Sequence, residues 1–178
     1  DLNALRDVEG NTVRARIEHT GNTIADGGKI VVLTANDAKQ LVNDVINLDG
    51  LVRANTVGVD GRGSIVLSAA NGRVNVTGEL TSAGTEAGQV GGAIAILAPT
   101  TKLNANALLT ASGSSGGGTI TIQGAGGKPA TQVVIEKDAS LNASAAVSGK
   151  GGRVSVVGDT VELAGSILAR AGVSGWST

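Results

Sequence analysis

The chain has 178 residues, a formal net charge of −1 and no cysteine. One domain is the default at that length. Scattered, near-neutral charge gives no electrostatic footprint for nucleic acid, and the lack of cysteine excludes disulfides and thiolate metal sites. With 28 glycines, one tryptophan and no phenylalanine or tyrosine, the chain lacks the aromatic filling of a deep globular core. No apolar run approaches the ~18 residues of a membrane span.

In chain order, positions 1–26 are the least regular. Residues 1–10 read as a helical turn, a cap or a frayed end. Val13, Ala15 and Ile17 then alternate, followed by His19, Gly21 and Ala25, with Thr23 in the place of a large apolar residue. This is expected to be an irregular N-terminal part or a partial coil. From 27 to 178 the chain repeats. Five units open at a glycine: Gly28, Gly63, Gly92, Gly118 and Gly152. Two residues on lie Ile30, Ile65, Ile94, Ile120 and Val154. Four residues on lie Val32, Leu67, Ile96, Ile122 and Val156. Period-2 alternation of β-branched aliphatics predicts a strand with these residues inward.

The later half of each unit also forms columns. The first is Ile46, Val74, Leu103, Ile135 and Val161; the second is Leu48, Val76, Ala105, Lys137 and Leu163. Then come tiny residues (Gly50, Gly78, Ala107, Ala139, Gly165), large ones (Val52, Leu80, Leu109, Leu141, Ile167) and small ones (Ala54, Ser82, Ala111, Ala143, Ala169). Lys137 is the one violation, and a strand bulge is expected to turn it outward, since a lysine does not sit unpaired in an aliphatic column. The columns hold while the unit length drifts, so the first and fourth units carry insertions, near 34–44 and 124–131. Within the first, 37–45 lacks alternation, and Leu41, Val42 and Val45 share a helical face. It is expected to be a short helix on the outside of the stack. The second is a Gly/Pro loop. Gly58-Val59-Asp60-Gly61-Arg62-Gly63 is a turn between coils.

Three short strands per unit, with aliphatics stacked in columns, predict an all-β fold: a parallel β-helix of about five coils with one short helical insert. A single coil cannot bury its inner face, so stability comes from stacking. Five coils at strand spacing make a segment ~25 Å long. A bare terminal coil exposes core and strand edges, so the segment is expected either to continue into neighbouring coils of a longer chain or to associate end to end.

No motif for catalysis, cofactor or metal emerges. His19 is the only histidine, and no Gly-x-Ser-x-Gly elbow accompanies it. At Gly127-Lys128, Pro129 stands where a phosphate loop needs Ser or Thr. Glu136, Lys137 and Asp138 fall together, but Asn104 and Glu162 on adjoining coils do not extend them into a matching cluster, and a solvated face is expected. Asn75-Val76-Thr77 and Asn142-Ala143-Ser144 fit the N-glycosylation triplet. Regular faces of Thr, Ser, Asn and Ala offer no anchor, so any partner site is expected at the inserts, with Lys39, Gln40, Asn43 and Asp44 in one and Lys128 and Gln132 in the other. Trp176 is the only aromatic on which a sugar ring can stack.

The runs Gly27-Gly28-Lys29-Ile30-Val31-Val32-Leu33-Thr34-Ala35, Val45-Ile46-Asn47-Leu48-Asp49-Gly50-Leu51-Val52-Arg53-Ala54 and Gly72-Arg73-Val74-Asn75-Val76-Thr77-Gly78-Glu79-Leu80-Thr81-Ser82-Ala83-Gly84, followed by Leu109-Thr110-Ala111-Ser112-Gly113 and Gly116-Gly117-Gly118-Thr119, resemble large exoproteins of the filamentous haemagglutinin-like family. The resemblance covers about 27–175, in order. It implies a right-handed parallel β-helix, export unfolded through an outer-membrane secretion partner, and adhesion or biofilm roles at the bacterial surface. A host or matrix glycan is then a possible partner. The family's secretion domain carries Asn-Pro motifs near its start. Here Pro99 and Pro129 follow Ala98 and Lys128, so this segment does not match the secretion domain. The expected function is that of a non-enzymatic rod segment of a secreted adhesin, the alternatives being a polysaccharide- or surface-binding module and a polysaccharide-active enzyme.

Overall fold

The computed structural model describes residues 17–27, 30–35, 46–58 and 60–173. Among the described residues, seventeen strands form three parallel sheets. The first sheet holds β1 (Ile17–His19), β4 (Ile46–Leu48), β7 (Arg73–Val76), β10 (Thr100–Leu103), β13 (Ala130–Ile135) and β16 (Gly158–Leu163), side by side in that order. The second stacks β2 (Asn22–Ile24), β5 (Leu51–Arg53), β8 (Glu79–Thr81), β11 (Leu108–Thr110), β14 (Ser140–Asn142) and β17 (Ser166–Leu168). The third stacks β3 (Ile30–Ala35), β6 (Ser64–Ala69), β9 (Ala93–Leu97), β12 (Thr119–Gln123) and β15 (Arg153–Val156). The chain visits the sheets in strict rotation, and every strand pairs with the strand three earlier. That is a parallel β-helix of five three-strand turns with two further strands. Before Gly28, β1 and β2 already stack on the strands of the following coil, where Ile17 pairs with Ile46 and Thr23 with Val52.

Stacking builds one core. Ile65, Ile94 and Ile120 lie in register, as do Leu67, Ile96 and Ile122, and Val52, Leu80, Leu109 and Leu141. All belong to a single buried cluster. The small columns have a steric cause. A Cβ on Gly92 would lie 2.2 Å from Gly63 O, and one on Gly118 would lie 2.1 Å from Gly92 O. Successive coils therefore touch backbone to backbone here, and only glycine permits that approach. Ala54, Ser82, Ala111 and Ala143 are fully buried at the next corner. The Ser82 hydroxyl lies within hydrogen-bond reach of Ala54 O at 3.0 Å and Gly63 O at 2.9 Å, so the polar member of that column is satisfied.

Two columns differ from expectation. In the first unit the inward residues are Val31 and Leu33, which pair with Ile65 and Leu67, while Val32 is 55% exposed. Ile30-Val31-Val32-Leu33 is apolar at both parities, so alternation does not distinguish the two registers, and a slip of one residue exchanges the faces. In the first sheet, Leu103 and Ile135 align with Val76, and their places beside Val74 are taken by Thr101 and Val133. Ala105 and Lys137 therefore lie beyond the ends of β10 and β13, and both are exposed. Lys137 faces outward as expected, but no bulge puts it there. The corner itself is longer in these two coils.

The turn read at Gly58 is confirmed by the hydrogen bond from Val57 N to Gly61 O at 3.0 Å. The Gly/Pro insertion is shorter than the expected 124–131. It holds a 3-10 turn at Ala125–Gly127, and the chain rejoins the sheet at Ala130. The helix expected over 37–45, residues 1–10 and Trp176 lie outside the described residues. Leu163 continues the column of Ile135; with no described coil stacked beyond it, it is 54% exposed, where Ile135 is 1%.

Candidate functional site

At the first corner, between the first and second sheets, the coils come in two lengths. In four coils a single residue separates the strand end from the small-residue column: Thr20, Asp49, Thr77 and Ala164. In two coils there are three residues, Asn104, Ala105 and Asn106, and then Glu136, Lys137 and Asp138. Asn106 and Asp138 close these longer corners at φ 69° and 70°. That left-handed conformation is one Asn and Asp tolerate best among residues with a side chain.

A longer corner carries backbone groups that the neighbouring coil does not pair, and side chains take over. Asn104 Nδ2 lies 3.3 Å from Val76 O and 3.2 Å from Thr77 Oγ1. Glu136 reaches to the preceding corner, where its Oε2 accepts a hydrogen bond from Ala105 N at 3.0 Å. Its Oε1 lies 2.8 Å from Lys102 Nζ. The Lys102 ammonium, with the Ala105 N–H, holds the Glu136 carboxyl below its ordinary range. The first corner of the next coil shrinks back to Ala164, which leaves a ledge. Beneath it runs a groove of about 540 Å³, bounded by Lys137, Asp138, Glu162, Leu163, Val134 and Ala164 among others.

The residues singled out from sequence are spread apart. Lys39, Gln40, Asn43 and Asp44 lie outside the described residues. Lys128 is exposed beyond the 3-10 turn, and Gln132 is half-buried on the outer face of β13, its Nε2 3.5 Å from Glu162 Oε1. Neither lines the groove. Asn75 is half-buried in β7 with its Oδ1 enclosed and unpartnered. Asn142 Oδ1 accepts from Ser144 N at 3.0 Å, and Ser144 Oγ accepts from Arg170 N at 3.1 Å, so that triplet is engaged in local hydrogen bonds. His19 sits in an inward column beside Leu48, its Nε2 2.9 Å from Thr23 Oγ1.

A second inter-coil clamp lies at the opposite end of the stack. Arg53 Nη2 and Nε meet Asp26 Oδ2 at 2.8 and 3.1 Å, and Asp26 also accepts from Asn55 N at 2.8 Å. Burial works to raise the Asp26 carboxyl, but the Asn55 N–H and the Arg53 guanidinium outweigh it and hold it low.

Sequence reading missed Lys102 and the longer corners. Their signal is alanine in the tiny column, at Ala107 and Ala139, where the other units carry glycine. Among the described residues no three His, Asp or Glu side chains are grouped to hold a metal ion, and no helix is long and apolar enough to cross a membrane. Comparison with protein-family models, with curated proteins and with solved structures finds no match.

Proposed function

We propose that this chain is a rod segment of a secreted bacterial surface adhesin, contributing to attachment or biofilm as a non-catalytic scaffold. The observation that carries the reading is the continuity of the stack. Aliphatic columns run in register through five turns, while the outer face of the third sheet carries small side chains such as Ser64, Ala93 and Thr119, then Val66, Ala95 and Thr121. Such an object is stiff along its axis because each coil is fixed by its neighbours, which suits a spacer that holds a binding end away from a surface. Coils that fold by local stacking, without disulfides, also suit a chain that crosses an outer-membrane secretion partner unfolded.

The test uses the full-length parent protein on its native cell. In-frame removal of 92–117 brings Gly118 into the place of Gly92 and preserves every column. Surface display is expected to persist and attachment to fall only modestly. Complete loss of attachment with display unchanged would make that coil the ligand site and refute the rod reading. The ledge groove favours a second reading, a glycan-binding module within such an adhesin.

A further inference from the structure

The two longer corners are copies of one another, and the first shows what the second accepts. Glu136 follows Ile135, and Ala164 follows Leu163, at the same register: Glu136 N donates to Leu103 O at 2.9 Å and Ala164 N to Ile135 O at 2.8 Å. From that position Glu136 places a carboxylate on the Ala105 N–H of the coil before. One coil further on, the corresponding donor is the Lys137 N–H. Its partner position is Ala164, which has no carboxylate to offer, and the Lys137 N–H finds no acceptor among the described residues. Lys137 adds an exposed ammonium on the same wall.

We propose that the groove under this ledge binds a uronic acid residue of an acidic polysaccharide. The sugar carboxylate takes on the Lys137 N–H the place that Glu136 takes on the Ala105 N–H. The remaining groove chemistry selects the rest of the ligand. Asp138 and Glu162 are acceptors only, which suits hydroxyl donors and disfavours further anions. Glu136 is already neutralised by Lys102. Half-buried Val134, outward between inward Val133 and Ile135, and the Ala164 methyl offer an apolar wall to the C–H face of a ring. One carboxylate, several hydroxyls and an apolar face describe a uronate, whereas an acidic peptide brings further carboxylates against Asp138 and Glu162. The groove volume of about 540 Å³ admits a single ring with its glycosidic neighbours.

The test is amide NMR of the whole chain, titrated with galacturonate and glucuronate and, in parallel, with galactose and glucose. The uronates are expected to move the Lys137 amide and its groove neighbours, with the neutral sugars binding at least about tenfold more weakly. Ala164→Glu supplies the carboxylate from within and is expected to abolish the response, while Ala164→Ser leaves it intact. Circular dichroism melts establish that both variants fold. An unmoved Lys137 amide, equal binding of the neutral sugars, or uronate binding undiminished in Ala164→Glu would each overturn the proposal. Equal or tighter binding of a Glu-Glu dipeptide would overturn the assignment to sugar. The rod reading stands or falls separately, on the coil deletion.

Discussion

Leu109→Asp and Thr110→Asp form a matched pair, one residue apart on β11 and opposite in face. Leu109 is fully buried between Leu80 and Leu141 in the same column. Losing its burial forfeits about 1.5–3 kcal/mol. The carboxyl that replaces it finds no polar partner among aliphatic side chains, and even when neutralised by protonation it costs roughly another 1–3 kcal/mol. A total of about 4–5 kcal/mol is comparable to the whole stability of a marginal domain. Spread over a chain of this length, it lowers the melting temperature by roughly 10–20 °C. Thr110 points outward beside Thr81 and Asn142 and is half-buried, so aspartate there is expected to change stability by no more than about 0.5 kcal/mol. Thermal and urea melts followed by circular dichroism make the comparison. Equal shifts for the two variants would refute the assignment of faces on the second sheet, and with it the columns that define the coil.

The first-unit register is tested by Val31→Asp, expected to destabilise by several kcal/mol, against Val32→Asp, expected to be near neutral; urea midpoints reversed between the two would restore the alternation read from the sequence. Thr101 is fully buried in an aliphatic column between Val74 and Val133, and its hydroxyl has no partner. Thr101→Val removes an unsatisfied group at nearly constant volume and is expected to stabilise by about 1 kcal/mol, read as a raised urea midpoint with unchanged slope. Glu136 is held below its ordinary pKa by Lys102 and the Ala105 N–H. A depressed folded-state value means its contribution is present at neutral pH and is lost as pH falls through that value. Glu136→Gln should therefore flatten the acid side of a stability–pH profile while leaving the profile parallel to wild type above pH 6. An unchanged acid limb would show that the clamp contributes nothing to folding.

What was legible in the sequence follows from what a solenoid demands of it. Each coil must supply inward aliphatics at the same three faces and small residues where backbones touch. Those demands repeat five times, so they rise above the noise of a single strand. The tiny column from Gly50 to Gly165 and the large column from Val52 to Ile167 stand out because their members obey a steric rule, relaxed only at Ala107 and Ala139 where the corner is longer. A Cβ on Gly78 would lie 2.1 Å from Gly50 O, which leaves little freedom to vary. The errors fell where the rule is silent. In Ile30-Val31-Val32-Leu33 both faces satisfy it. At Leu103 and Ile135, a corner two residues longer imitates a strand shifted by two, because a shift of two conserves the parity of alternation.

The same reasoning explains why the groove was not legible. Alignment by columns assigns Ala105 and Lys137 to the core and makes the lysine an anomaly to be explained away. Once the corner is allowed to be longer, Lys137 ceases to be an exception, and Asn106 and Asp138 become the residues that turn the chain. Glu136, which had looked like one member of a solvated charged run, becomes the strut that closes the preceding corner. A site of this kind arises from a difference in loop length between adjacent copies of a repeat. No single motif encodes it, since each copy taken alone is an ordinary turn. The ledge exists because Glu136, Lys137 and Asp138 stack above Ala164, and the Lys137 N–H is left without a partner because the following corner lacks the side chain that its own coil supplies one step earlier. In a stacked fold of nearly identical faces, the chemistry that departs from the scaffold lies at these steps, where the pairing of one coil by the next is interrupted.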